Sequence, residues 1–272
     1  MEKPWLAFYE PEVPRTIVYP TVPLHQMLED SARKYPNQIA TKLILRYLGP
    51  LRLGGTMTYQ QLMDNVNRFA AALHAFGVRK GDRVAIMLPN LPQFLIAFFG
   101  TLKLGAIVVN TNPTYTSREI QHQFSDAGAE TVVLLSSFYP RLKEIQAQTQ
   151  IKRVIIADVP DYVPPPLNAL VKSNVKKHGL MVDVPLVDGV YNLKALLAQH
   201  PEKPPATKVE AGDTALFQYT GGTTGVPKAA MLSHYNLVAN TIQVKNWMHT
   251  LEEGNERIMG AIPFFHVYGM TV

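Results

Sequence analysis

Between residues 220 and 228 the chain reads Thr220-Gly-Gly-Thr-Thr-Gly-Val-Pro-Lys228. This set of residue types suits a polyphosphate. Glycine has no side chain and tolerates positive φ, so at Gly221, Gly222 and Gly225 the backbone can close on an anion. Backbone N–H groups and the hydroxyls of Thr220, Thr223 and Thr224 supply converging donors. Lys228 supplies a fixed cation. The spacing excludes a Walker A loop, which needs Gly-Lys-Ser/Thr in succession; Val226 and Pro227 separate Gly225 from Lys228. The structural alternative is a Gly/Thr hairpin with a chance lysine.

A second stretch with chemical potential runs from Ile258 to the end. Ile258 to Ile262 predicts a strand that Pro263 ends, and Phe264, Phe265, His266 and Tyr268 follow. A histidine just past a strand end sits where open α/β sheets place ligands. Read alone, the same residue is a packed core histidine. Between the two stretches, Ser233 is a good N-cap for a helix over Tyr235 to Trp247. His234, in its first turn, reads as a surface or capping histidine.

Positioning these loops falls to the elements before them. Leu24 to Tyr35 has the periodicity of an amphipathic helix, with Leu24, Met27, Leu28 and Ala32 on one face. Thr58/Gln61 and Thr116/Glu119 are capping-box patterns, and Gly77 and Gly128 are stop signals for the helices that follow them. Strands are predicted at Arg83–Leu88, Ala106–Asn110, Thr131–Leu135, Arg153–Ala157 and Thr214–Tyr219. Helices are predicted at Leu91–Lys103 and Arg141–Gln148. Nearly all-apolar strands alternating with helices imply an α/β fold, a mostly parallel sheet with helices on both faces.

The organisation reads as a Pro-rich lead-in at 1–23 and a first α/β subdomain at 24–200. A linker at 201–212 and the start of a second subdomain at 213–272 follow. Pattern breaks down in a Pro/Lys-rich excursion at 158–188. There Leu167, Leu170, Val171 and Val175 share a helical face over 167–178, beside Lys172, Lys176 and Lys177. Two readings stand for this segment: a solvated surface helix, or an interfacial helix touching anionic lipid at the inner face of a membrane.

Composition narrows the classes. With 47 % apolar and 17 % charged residues a sizeable core can form. There is no cysteine, which excludes disulfides, thiolate nucleophiles and cysteine-based zinc sites and is compatible with a cytoplasmic location. A net charge of +5 suits an anionic substrate or a membrane surface, but it is too small and scattered for nucleic acid. The stretch from Val84 to Leu102 lacks charge, yet Pro89, Asn90, Pro92 and Gln93 make it a buried strand, turn and helix rather than a membrane span. No apolar run follows the first residues, so a signal peptide is not expected there.

At the two stretches above the chain resembles the adenylate-forming superfamily of acyl-CoA synthetases, luciferases and nonribosomal peptide adenylation domains. Tyr219 to Lys228 is similar to its phosphate-binding motif and Ile262 to Gly269 to its next motif. Thr-Gly-Gly at 220–222, Pro89-Asn90 and Asn110-Thr-Asn-Pro-Thr-Tyr115 are similar to bacterial long-chain fatty-acid–CoA ligases. The resemblance implies the N-terminal part of the family's large domain and a two-step reaction: a fatty acid is activated by ATP to an acyl-adenylate, then passed to coenzyme A. It implies that Thr220 to Lys228 hold the β- and γ-phosphates, with Lys228 catalytic and Mg2+ bridging them through Thr220. It implies catalytic His266 beside the carboxylate and α-phosphate, and Tyr268 and Met270 lining an acyl channel. A homodimer is a further expectation of the resemblance alone.

Two departures stand out. Ala229 replaces the family's usual glycine after the lysine, where a methyl is expected to tighten the turn. The family's later motifs are also absent: Tyr-Gly-x-Thr-Glu at the adenine, a ribose-binding aspartate, a hinge and a C-terminal lysine. The sequence therefore reads as a fragment, and little ligase activity is expected of it alone. Alternatives are an enzyme that adenylates another acid, such as an aryl or amino acid, and a non-catalytic nucleotide-binding fragment.

Overall fold

The computed structural model describes residues 3–49, 51–204, 206–220 and 227–271. After the lead-in come α1 (Leu24–Lys34), the strands β1 (Ile39–Leu48) and β2 (Leu51–Thr58), and α2 (Tyr59–Ala75). The α/β alternation follows: β3 (Arg83–Met87), α3 (Pro92–Lys103), β4 (Ile107–Asn110), α4 (Ser117–Ala127), β5 (Thr131–Leu135), α5 (Tyr139–Ile145) and β6 (Arg153–Ala157). The excursion carries α6 (Leu167–Lys177). Then come β7 (Val190–Asn192), α7 (Leu193–Gln199), β8 (Thr214–Thr220), β9 (Lys228–Ser233), α8 (His234–Trp247) and α9 (Val267–Thr271).

Local signals explain the boundaries. At Thr58 and Thr116 the hydroxyl accepts from the backbone N–H three residues on, and the side chain of Gln61 or Glu119 accepts from the cap N–H. Two otherwise orphaned donors are thus satisfied at each helix start. Ser233 caps α8 with Asn236 in the same way. The helix expected over Arg141–Gln148 begins earlier, at Tyr139, and ends in a 3-10 turn at Gln146–Gln148.

The seven-stranded sheet has the order β7-β6-β5-β3-β4-β8-β9. Every pairing is parallel except β8 with β9. Side chains alternate between faces as strand geometry requires. Val84, Ile86 and Val108 face a core built with α1, α2, α3, α7 and α8, while Ala85, Met87 and Val109 face one built with α4 and α5. The helix after β3 thus covers one face and the helix after β4 the other. That makes the β3/β4 boundary a topological switch point, whose strand carboxyl ends open into a crevice. The expected linker at 201–212 does not divide the sheet, because Val108 to Asn110 pair with Leu216 to Gln218 across it.

Some elements carry no clear sequence signal. β1 and β2 form a separate antiparallel pair. They pack through Leu45 against Val163, Val171, Val175 and Met181 of the excursion. Of the apolar face expected on 167–178, Val171 and Val175 turn inward and Leu170 is left exposed. His234 needs correction. It is fully buried, its Nδ1 accepts from the Leu24 N–H at 3.1 Å, and its ring stands edge-on to His25 at 6.0 Å. Docking of α1 against α8 buries it, and no local pattern announces that contact.

Two predictions follow from the packing. A Cβ at Gly100 would lie 3.0 Å from the Val66 carbonyl oxygen and 2.7 Å from the Phe69 ring, because α2 and α3 approach closely there. A helical Gly→Ala change normally stabilises by ~1 kcal/mol. Here the backbone oxygen cannot yield, so Gly100→Ala is expected to destabilise by about 1–3 kcal/mol in urea unfolding. The second concerns pH. Burial depresses both His25 and His234 to about 4; Glu29 partly opposes it at the first, whereas His25 itself adds to it at the second, with Asp213 opposing. Between their ordinary value and about 4 the unfolded chain binds protons that the folded chain does not, so stability falls as pH falls from 6.5 to 4. Asp158, raised to about 6 by burial, and Asp161, also raised by burial, act with the opposite sign and reduce this fall. The melting temperature should drop between pH 6.5 and 4.5, and a His25→Gln form should show a flatter profile. Equal profiles would contradict this.

Candidate active site

β8 and β9 form an antiparallel pair whose open end sets Thr220 directly opposite Lys228. The Thr220 hydroxyl donates to the Lys228 carbonyl at 3.3 Å, and both side chains are exposed. Gly221, Gly222, Thr223, Thr224 and Gly225 lie outside the described residues. The strand beneath is anchored. The Tyr219 hydroxyl donates to Asp126 of α4 at 2.5 Å, and burial together with that carboxylate pushes the phenol pKa up, so it remains a neutral donor. His122, also on α4, brings Nε2 to 3.4 Å from the Pro227 carbonyl. Ala229 stands opposite Tyr219, inside the ladder, with its methyl against the second core. The turn it was expected to tighten lies outside the described residues.

The second motif lies against the carboxyl ends of the neighbouring strands. The strand expected at Ile258–Ile262 does not form: these residues are irregular, and Ile258, Met259 and Ile262 are exposed. Two carbonyls of this stretch are instead bound by Asn90, in the loop after β3. Its Nδ2 donates to the carbonyls of Gly260 and Ile262, and its Oδ1 accepts from the Phe264 N–H. His266 is exposed, not packed in the core, and immediately precedes α9. The turn that carries it is tight: a Cβ on Gly269 would meet the Pro263 oxygen at 2.4 Å.

Gln218, two residues before Thr220, brings Nε2 to 3.5 Å from the Phe265 carbonyl and so links the two motifs. Asn110, at the end of β4, donates to the Met270 sulfur at 3.4 Å. The Oδ1 of Asn110 and the Oε1 of Gln218 are buried, with no hydrogen-bond partner among the described residues. Met270 is half-buried against the first core. Tyr268 is exposed and lines a 480 Å³ cavity with Gln243, Val244, Trp247 and Met248 of α8 and its end. Residues two apart on a helix point in nearly opposite directions. Tyr268 and Met270 accordingly face different surroundings.

Two further polar clusters lie elsewhere. At the carboxyl ends of β6 and β7, a 300 Å³ cavity is lined by Asp158, Asp161, Asn168, Lys172, Asn192 and Lys194, among others. Asp158 is buried, and Ser136 Oγ donates to it at 2.5 Å. Glu10, Glu12 and His249 converge at the surface, where the lead-in meets the loop after α8. Neither contains a residue of the two motifs. Sequence reading missed Asn90 and Gln218 as functional positions. The available signal was their place just past, or at the end of, a buried parallel strand.

The family described as AMP-binding enzyme matches residues 28–272. The long-chain-fatty-acid–CoA ligase of Bacillus subtilis (strain 168) is 36 % identical over 99 % of this chain and 47 % of its own length. That of Yersinia pestis is 37 % identical over 100 % of this chain and 48 % of its own. Among solved structures, the long-chain-fatty-acid-CoA ligase FadD1 of Archaeoglobus fulgidus superposes with a TM-score of 0.72. It is 26 % identical over 94 % of this chain and 46 % of its own length. The chain thus spans about half the length of the relatives it matches. With a match across nearly its whole length, a mostly parallel sheet and the Thr220/Lys228 strand pair at its carboxyl edge, the chain belongs to the AMP-binding enzyme family.

Proposed function

We propose that this chain carries the phosphate- and carboxylate-handling part of an AMP-forming acid–thiol ligase for long-chain fatty acids. The observation that carries the reading is the junction at the switch-point crevice. There the Thr220/Lys228 end of the β8–β9 pair adjoins the His266 segment through Gln218. The names of the relatives quoted above support the substrate class.

On this reading the fatty-acid carboxylate attacks the α-phosphorus of ATP and pyrophosphate leaves. The thiol of coenzyme A then attacks the acyl carbon and AMP leaves. Lys228, exposed at the strand end, neutralises charge on the polyphosphate, and the loop it closes orients the chain of phosphates for in-line attack. The exposed Thr220 hydroxyl, held by one long hydrogen bond, is a hard oxygen suited to Mg2+ carried by the triphosphate. The ion, when bound, spreads phosphate charge. His266 stands beside the carboxylate and α-phosphate, and Met270 offers apolar surface to the acyl chain.

The 167–178 segment fits the solvated-helix reading better than the lipid one, since two of its four apolar residues are buried and Lys176 is paired with Asp183. Among the described residues no helix is long and apolar enough to cross a membrane.

The test is pyrophosphate release by the complete gene product, with ATP and acids of graded chain length beside aryl and amino acids. Long-chain acids should give the highest kcat/KM. Release with aryl or amino acids alone would replace the substrate class, and absence of release with every acid would sink the reading.

A further inference from the structure

One carboxamide holds the second motif in place. Asn90 Nδ2 donates to Gly260 O and Ile262 O at 2.8 Å each, and Oδ1 accepts from Phe264 N at 2.8 Å. All three bonds have ordinary strong lengths. The other polar ties to this segment are longer, 3.5 Å from Gln218 to Phe265 and 3.4 Å from Asn110 to Met270. Among the described residues the segment makes no strand pairing that would fix it otherwise. Asn90 itself is fixed, because Leu88 and Leu91 on either side are buried in the first core. The chain of support runs on: the Phe264 ring packs 5.7 Å from Phe94, and the His266 N–H donates to Pro263 O at 3.1 Å.

We propose that Asn90 is a positioning residue, setting the placement of His266 against the carboxyl ends of β3, β4 and β8 and thereby the rate of acid activation. This rests on the reading of His266 given under the proposed function. The chemistry of the position is restrictive. Two carbonyls need two N–H donors and one N–H needs an acceptor, and a short planar amide supplies both from one side chain. Aspartate would set a charged acceptor against two carbonyl oxygens. Glutamine would keep the groups and displace them by one methylene.

The experiment compares wild type, Asn90→Ala and Asn90→Gln in the complete gene product. It measures kcat and KM by pyrophosphate release with ATP and palmitate, the melting temperature, and amide exchange over 258–271. Loss of positioning should lower kcat by roughly 10- to 100-fold in both variants. KM for ATP should stay unchanged. Asn90→Ala should also speed exchange at Phe264. Asn90→Gln should keep the wild-type melting temperature, which separates misplacement from unfolding if the alanine form is unstable. An active wild type whose glutamine form keeps its kcat, or loses only KM, overturns the positioning role alone. A wild type that releases no pyrophosphate overturns the functional reading and this role with it.

Discussion

The parallel pairing of β4 with β8 is the contact on which the candidate site depends. It joins Val108–Asn110 to Leu216–Gln218, segments far apart in the chain. Through it the phosphate-type motif after β8 comes to lie beside the loops that follow β3 and β4. Those loops leave toward opposite faces of the sheet, as the separate cores around α3 and α4 require. A crevice at the carboxyl ends is the geometric result. Without the β4–β8 ladder, Lys228 would have no defined relation to His266.

The polar groups at this edge divide the labour. Asn90 stands just past β3, Asn110 at the end of β4 and Gln218 two residues before the end of β8, and each reaches the segment from 260 to 270 with an uncharged amide. Amides can bridge backbone groups at a half-buried edge without the desolvation penalty of a buried charge. The cation and the imidazole, to which the proposed function gives the chemistry, are left exposed. Tyr219 and Asp126 fix β8 from behind. The supporting amides are buried or half-buried, whereas Lys228 and His266 are accessible, an arrangement that suits the proposed anion site.

Much of this was legible because the signals were strong and local. Thr131–Leu135 and Arg153–Ala157 are fully apolar or nearly so, and the structure places their strands at those residues. The Thr58/Gln61 and Thr116/Glu119 boxes are complete within four residues of sequence. What was missed depends on distant contacts. β9 reads Lys-Ala-Ala-Met-Leu-Ser, with no β-branched residue, and is a strand because β8 offers it an edge. Ile258–Ile262 has strand composition but pairs with no strand among the described residues, and Asn90 binds two of its carbonyls. His234 is buried by α1, which precedes it by most of the chain. The Thr/Gly stretch is proposed as chemistry from residue types alone, whereas the amides that tie the two motifs together are legible only in space.

In the proposed function the Thr220/Lys228 strand end grips a polyphosphate. Calorimetric titration of this chain with Mg2+ and inorganic tripolyphosphate tests it without involving adenine, acid or thiol. Saturable binding is predicted for the wild-type chain, weakened about tenfold or more by Lys228→Ala, the size of one charge-assisted hydrogen bond. Equal affinity in the two proteins would contradict the account.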